Sequence, residues 1–182
     1  QTVASTTHLF DVSGVGYEPR GGVSLNGKEV ALTDYPILQE LAQAALLCND
    51  AELHEIGGQW QVHGDPTEGA LVSMGIKAGM EYAGVREMYP RTDVIPFESE
   101  HRFMATLHHD HLGHGFIYVK GAPEKVMVMC NSQRVSGVDQ PINIEYWHKR
   151  TEEMAGRGQR VLAIAFKAVD NNHRTLRFSD VE

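Results

Sequence analysis

A lysine and a glycine stand together where a predicted strand meets a predicted helix. Lys120 and Gly121 follow the strand-like segment Gly115–Val119, and Pro123 then takes the first position of a helix. Because glycine has no β-carbon, a ligand can approach the backbone closely at Gly121. The first amides of a helix add partial positive charge. A lysine at this position can bind a phosphate or line the pocket of a ligand; the alternative is a solvated surface lysine.

An acidic helix start lies earlier in the chain. Asp65 can be the N-cap of a helix, Pro66 suits its first position, and Glu68 three residues after Asp65 completes a capping box. Glu68 therefore has a structural explanation that requires no ligand.

Four histidines and an aspartate cluster in one predicted hairpin. Imidazole and carboxylate groups are ligands for zinc or nickel. Their spacing matches no structural zinc pattern, so we expect a solvated turn rather than a metal site. The residues are His108, His109, Asp110, His111 and His114.

Familiar catalytic signatures are absent from the sequence. It contains no nucleophile elbow, no HExxH zinc motif and no GxxxxGK[ST] phosphate loop, and the glycine pair Gly156 and Gly158 is too short for a dinucleotide fingerprint. The sequence therefore predicts no self-sufficient catalytic site and no catalytic residue within the chain.

Composition restricts the class of partner. The 182 residues carry a formal charge of −8, which disfavours a nucleic-acid surface or an anionic membrane surface. Cys48 and Cys130 lie far apart without CxxC spacing, so free thiols are expected. No apolar run approaches the roughly 20 residues that span a bilayer, and we expect a soluble chain.

Periodicity predicts interleaved strands and helices. Several neighbouring strands are hairpin-linked, most clearly around Gly57 and Gly58, which favours a mainly antiparallel sheet over a doubly wound parallel one. We expect an α/β (α+β) fold, a mainly antiparallel twisted sheet flanked by helices. The predicted strands are Thr2–Val12, Ala51–Ile56, Gln59–His63, Asp93–Phe97, Phe103–His108, Gly115–Val119 and Arg160–Ala168. The predicted helices are Tyr35–Cys48 (capped by Thr33 or Asp34), one opening at Pro66, Glu81–Met88, Pro123–Cys130 and Pro141–Ala155.

Several segments, in order along the chain, resemble one family. They are Gly14-Val15-Gly16-Tyr17-Glu18-Pro19, Leu47-Cys48-Asn49-Asp50, Gly64-Asp65-Pro66-Thr67-Glu68-Gly69-Ala70-Leu71, Pro96-Phe97-Glu98-Ser99-Glu100-His101-Arg102-Phe103-Met104, Lys120-Gly121-Ala122-Pro123-Glu124 and Gly158-Gln159-Arg160-Val161-Leu162-Ala163. Together they resemble the nucleotide-binding domain of P-type ATPases that pump calcium, sodium/potassium or related cations. Lys120–Glu124 is the most recognisable of them, and the resemblance spans nearly the whole chain.

The resemblance implies one nucleotide-binding domain over residues 1–182, cut from a larger membrane ATPase and lying in the cytosol. The family's phosphorylated aspartate motif, Asp-Lys-Thr-Gly-Thr, and its actuator motif, Thr-Gly-Glu-Ser, are not in this sequence. The expected ligand is Mg-ATP, with the magnesium site mainly outside the chain. The expected partners are the phosphorylation and actuator domains of the same parent. The fragment itself is expected to be a monomer that binds ATP without turnover.

The resemblance also assigns roles to particular residues. Phe97 matches the phenylalanine that stacks on adenine. Without the surrounding motif, a single Phe at a strand end would be interpreted as core packing. Glu68 matches the glutamate that accepts a hydrogen bond from the adenine amino group, and Lys120 matches a nucleotide-binding lysine. Gly121 and Ala122 would form the pocket wall, and Glu124 would stabilise its helix.

Further positions match less uniformly. Arg102 stands where the family usually has lysine, and it keeps the positive charge with a different geometry. Ser99 stands where some relatives have arginine, so phosphate contacts are expected to be fewer. Met104 would line the apolar pocket or pack in the core. Arg160 matches an arginine that reaches the phosphates, and Leu162 would pack under the base.

Other functions stay open at this point. One is a metal-binding regulatory module built on His108–His114, and the other is an interaction domain with a degenerate nucleotide site. Calcium is the ion first expected for the parent, because Gly14–Pro19 and Cys48–Asp50 look most like the calcium-pump branch.

Overall fold

All strand pairs in the structure are antiparallel. The computed structural model describes all 182 residues, and the helices and antiparallel sheets confirm the predicted mixed fold. The strands form several small sheets rather than one. The chain divides into two compact units, Gln1–Val85 and Arg86–Glu182. Its organisation as one functional domain stays a prediction.

No helix is both long enough and apolar enough to cross a membrane.

The N-terminal unit contains a four-stranded sheet, a hairpin and two main helices. Its elements are β1 (Thr2–Ala4), β2 (Leu9–Val12), β3 (Val23–Leu25), β4 (Lys28–Glu29), a 3-10 helix (Leu32–Asp34), α1 (Pro36–Leu47), β5 (Glu52–Ile56), β6 (Gln59–His63) and α2 (Pro66–Lys77). The division between the units falls within α3 (Tyr82–Met88).

The predicted strand Thr2–Val12 is wrong in one respect, because it is two strands joined by a turn. The Ser5 hydroxyl accepts hydrogen bonds from the backbone N–H groups of Thr7 and His8, and the Ser5 N–H donates to the His8 carbonyl. A serine side chain that bonds its own backbone in this way competes with a strand ladder. The chain therefore reverses at Ser5, and β1 pairs with β2.

The predicted side-chain cap of α1 is also wrong. The N-cap is Tyr35, and no side chain caps this helix, because the residues before it form the 3-10 turn Leu32–Asp34. Pro36 occupies the first helical position, where its missing N–H leaves no donor unsatisfied.

Helices α1 and α2 pack closely at a glycine. A β-carbon on Gly75 of α2 would lie 2.7 Å from the Leu46 side chain of α1. Leu46 is fully buried, as are Leu38 of α1 and Val72 of α2. The small residue lets the two apolar faces meet.

The C-terminal unit is built on a four-stranded sheet of order β12-β9-β8-β7. Its elements are β7 (Arg91–Ile95), β8 (Phe103–His109), β9 (Gly115–Gly121), α4 (Pro123–Met129), β10 (Ser132–Val135), β11 (Val138–Pro141), α5 (Ile144–Gly156), β12 (Ala163–Val169) and a 3-10 helix (Phe178–Asp180).

One face of this sheet carries the core of the C-terminal unit. Side chains alternate between faces along a strand, so every second residue of β8 and β9 points into this core. Helix α4 and the C-terminal segment close it. Its buried members are Ile95, Phe103, Ala105, Leu107, Ile117, Val119, Val126, Leu176 and Val181.

The hairpin of β10 and β11 has no counterpart among the predicted strands. Helix α5 accordingly begins at Ile144 rather than at Pro141. Asn143 is its N-cap, and its side chain accepts the Tyr146 N–H at 2.9 Å. The Trp147 indole N–H donates to the Gln133 side chain at 2.9 Å, which ties α5 to β10.

Candidate functional site

Phe97 lies in water immediately beyond β7. It is 55% exposed although it is a large apolar residue, and no other aromatic ring lies against it. Pro96 separates it from Ile95, the last residue of the strand and a member of the core. The side chain therefore does not pack in the core, and its ring face is available to a flat ligand.

The segment between Phe97 and β8 folds into a fixed turn. The N–H groups of His101 and Arg102 both donate to the Glu98 carbonyl, at 3.1 and 2.8 Å. Arg102 takes a left-handed backbone conformation with φ +59°, which is uncommon for a residue with a side chain. Its carbonyl accepts the Ala122 N–H at 2.9 Å, so the turn is tied to the start of α4.

Gly121 is where two backbones meet. A β-carbon on Gly121 would lie 2.5 Å from the Arg102 carbonyl oxygen and 2.6 Å from the Phe103 β-carbon. The glycine is therefore required by the approach of the protein's own chain. Access for a ligand was the expected reason, and Gly121 itself is buried.

Lys120 is not a solvated surface lysine. It is only 5% exposed, and its strand neighbours are Met104 on β8 and Ile164 on β12. Met104 is also buried, at 1% exposure. Lys120 and Met104 lie on the sheet face opposite the core residues Phe103 and Val119, because side chains alternate along a strand. Burial of an ammonium group is costly unless other groups compensate it.

Arg160 and Leu162 lie in the connection before β12, since that strand begins at Ala163 rather than at Arg160 as predicted. Arg160 is exposed, and Leu162 is half-buried. The ladder between β12 and β9 ends at the pair Ala163–Gly121. Leu162, just before β12, and Ala122, just after β9, therefore lie at the same end of the sheet.

The site residues predicted in the C-terminal unit gather at this end of the sheet. β7 finishes there, β8 begins there, β9 finishes there and β12 begins there, because neighbouring strands are antiparallel. The residues brought to it are Phe97, Arg102, Met104, Lys120, Gly121, Ala122, Arg160 and Leu162.

Arg102 is held by an acidic partner that sequence reasoning did not identify. Its guanidinium Nη1 donates to Glu124 Oε1 at 2.6 Å. Glu124 lies in the first turn of α4, where we had expected it to stabilise the helix. The two residues are 22 positions apart, so no local pattern could have paired them.

Glu68 belongs to the N-terminal unit. Asp65 caps α2 as predicted, accepting the N–H groups of Thr67 at 2.8 Å and Glu68 at 3.2 Å. The Glu68 carboxylate accepts the Asp50 N–H at 3.3 Å. The buried Asn49 side chain donates to the Glu68 carbonyl at 3.0 Å. The Leu47–Asp50 segment thus positions Glu68, although the sequence indicated it only as a point of family resemblance.

The histidine cluster does not converge on a common point. His108 and His109 are buried in an extended β8, which corrects the solvated turn expected for them. Their Nδ1 atoms lie 2.8 Å from the Tyr89 carbonyl and 2.6 Å from the Thr92 hydroxyl. The structure contains no group of three or more His, Cys, Asp or Glu residues that could hold a metal ion.

Burial lowers the pKa of His109, and the nearby positive charge of Arg174 lowers it further. The His173 backbone and Asp110 oppose these effects more weakly. The folded protein therefore keeps His109 neutral to a lower pH than an unperturbed imidazole.

Comparison with known proteins identifies relatives along the whole chain. A cation-transporting ATPase, pma1, from Synechocystis is 41% identical over all of this chain. A calcium-transporting ATPase from Bacillus subtilis is 32% identical over 70% of it, and calcium-transporting ATPase 1 from Lactococcus lactis is 36% identical over 77%. The aligned region is 21%, 15% and 16% of these three relatives, so the chain corresponds to a fraction of their length.

Residues 37–182 match the family described as P-type ATPase, cytoplasmic domain N. This range includes all of the residues brought to the sheet end, and Glu68 as well. The chain belongs to the family of the cytoplasmic N domain of P-type ATPases.

Proposed function

We propose that this chain binds the adenosine end of Mg-ATP on behalf of a P-type cation-transporting ATPase. The observation that carries the proposal is the exposed Phe97 ring, which lies at the sheet end where Lys120, Arg102 and Arg160 also gather. An apolar ring held in water beside cationic side chains suits a ligand with a flat base and an anionic tail.

In this proposal the base stacks on Phe97. Stacking of a base on an aromatic side chain contributes about 1–3 kcal/mol. The half-buried Leu162 supplies an apolar contact for the base, and the buried Met104 and Gly121 form the pocket wall together with Ala122. Arg102 and Arg160, which are exposed, supply positive charge for the phosphates, and the buried Lys120 lines the pocket behind them.

We assign base selectivity to Glu68. Its carboxylate can accept a hydrogen bond from the amino group of adenine, whereas guanine presents a carbonyl oxygen at that position. The Asp65 cap and the contact with Asp50 hold the start of α2 and the Glu68 side chain in place for this role.

The longer parent protein would complete the reaction. Here the chain holds the nucleotide while another domain of the parent supplies the aspartate that receives the γ-phosphate. Positioning a reactant in this way lowers the barrier by proximity. In this proposal magnesium is held mainly by the nucleotide phosphates and by other domains of the parent. The parent would couple ATP hydrolysis to cation transport, with this domain in the cytosol.

We propose calcium as the transported ion. The relatives from Bacillus subtilis and Lactococcus lactis are named calcium-transporting, whereas the one from Synechocystis is named only cation-transporting. Calcium-dependent ATP hydrolysis by the parent in membrane vesicles would test this assignment, and stimulation by another cation alone would contradict it.

By itself the chain should bind ATP weakly and not hydrolyse it. We expect a dissociation constant on the order of 0.1 to several mM, or roughly −4 to −5.5 kcal/mol. Measurable hydrolysis by the monomeric fragment that disappears in Lys120→Ala would contradict the absence of turnover.

A two-nucleotide NMR titration tests the proposal. In the ¹⁵N-labelled chain, ATP should cause saturable shifts at Phe97, Gly121, Arg160 and Glu68, with GTP weaker. Glu68→Gln should reduce the preference for ATP over GTP, while Glu55→Gln, in the exposed β5–β6 hairpin, should leave it unchanged. An absence of shifts at several millimolar ATP would instead favour an interaction domain with a degenerate nucleotide site.

A further inference from the structure

Arg102, in the turn that follows Phe97, is already paired with a carboxylate. Arg102 Nη1 lies 2.6 Å from Glu124 Oε1, and the two side chains are 48% and 51% exposed. Glu98 and Glu100 of the same turn are exposed as well. The turn that carries Arg102 thus also carries two carboxylates, Glu98 and Glu100, and His101 lies 3.6 Å from Glu98 Oε2.

The two partners of this pair are held on fixed backbone. The Arg102 N–H donates to the Glu98 carbonyl, and the Arg102 carbonyl accepts the Ala122 N–H at 2.9 Å. Ala122 is the N-cap of α4, two residues before Glu124. The fold thus sets the backbone positions of both partners, and their half-exposed side chains span the distance between them.

Carboxylate and phosphate oxygens compete for the same guanidinium group. Arginine presents its N–H donors in a planar fork that matches both groups. An ion pair open to water is weak, because solvent screens it. A phosphate group can therefore replace the Glu124 carboxylate, and the displaced carboxylate can turn into solvent.

We propose that Glu124 is a specificity-determining residue that occupies Arg102 until a phosphate displaces it. The proposal rests on the proposed nucleotide-binding function. Glu124 lowers affinity for the anionic tail and leaves affinity for the base unchanged. Each phosphate group of the ligand then contributes less binding free energy than it would if Glu124 did not compete for Arg102. ATP binding therefore stays reversible.

The test compares ATP with adenosine on the chain itself. Dissociation constants are measured by NMR titration at low ionic strength for the wild type, Glu124→Gln, Arg102→Gln and the double variant. Asp139→Asn is the control, because it removes the same charge from another exposed ion pair, Arg134–Asp139 at 2.8 Å. Thermal unfolding of each variant reports whether the fold is retained.

We expect Glu124→Gln to tighten ATP binding about 3- to 5-fold, with adenosine binding changed less than twofold. The gain should vanish when Arg102 is also replaced, and Asp139→Asn should not produce it. The inference is overturned if Glu124→Gln leaves the ratio of ATP to adenosine affinity unchanged, or if it weakens ATP binding. In either case, if adenosine still binds, the proposed function stands. If the wild type binds neither ATP nor adenosine, both the proposed function and this inference are overturned.

Discussion

The carbonyl oxygen of Arg102 lies so close to Gly121 that a β-carbon there would come within 2.5 Å of it. The same oxygen accepts the Ala122 N–H, so one close approach both fixes the turn after Phe97 and starts α4. The geometry of the candidate site thus depends on a position without a side chain.

Gly121→Ala should destabilise the fold by about 1–3 kcal/mol, the range for overpacking. We expect the upper part of this range, because two of the nearest atoms are backbone atoms and cannot rotate away. Urea unfolding measures the change. Gly156→Ala is the control: no atom lies within 4 Å of its added β-carbon, and the change should be neutral or stabilising by up to about 1 kcal/mol. Equal effects at the two positions would contradict the steric account.

Asp65→Ala should cost about 1 kcal/mol of stability, because it removes the acceptor for the Thr67 and Glu68 N–H groups. Asp34→Ala provides the comparison. Asp34 was a predicted cap of α1, but no side chain caps that helix, so its loss should change stability by less than about 0.5 kcal/mol. A larger loss at Asp34 than at Asp65 would refute this assignment of caps.

His109 should make stability depend on pH below neutrality. Its pKa in the folded chain is lowered, by burial first and then by Arg174, whereas in the unfolded chain it should be about 6.5. As the pH falls through 6.5, the unfolded chain binds a proton that the folded chain does not. The stabilisation is therefore complete above pH 6.5 and is lost progressively as the pH approaches the folded pKa.

Unfolding free energies measured between pH 7.5 and 5 should show this loss. His109→Asn should flatten the slope, because the amide cannot take up a proton, while Leu112→Ala in the exposed turn, which removes no titratable group, should keep the wild-type slope. If the wild type and His109→Asn show the same slope, His109 does not cause the dependence of the unfolding free energy on pH.

The sequence predicted features that depend on local geometry. Gly57 and Gly58 both have positive φ and close the hairpin of β5 and β6, and the cap at Asp65 forms as expected. In these cases the residue type itself sets the backbone conformation within a few positions.

Features that depend on distant contacts could not be predicted. Glu124 pairs with Arg102 across 22 positions, and Arg102 adopts a left-handed conformation that its residue type does not favour. The burial of Lys120 likewise follows from its position in an inner strand of the sheet. The family resemblance indicated the candidate site residues, whereas their contacts depend on how distant segments of the chain pack.

The most direct test of the central claim is the ATP dissociation constant of Phe97→Ala. The comparison is Leu112→Ala, which removes another exposed apolar side chain (66% exposed) from the turn at the opposite end of β8. Loss of base stacking worth about 1–3 kcal/mol should weaken ATP binding roughly 5- to 150-fold in Phe97→Ala. Leu112→Ala should bind like the wild type. Unchanged ATP affinity in a folded Phe97→Ala variant would contradict the account, because the nucleotide would then bind without the exposed ring on which the site is built.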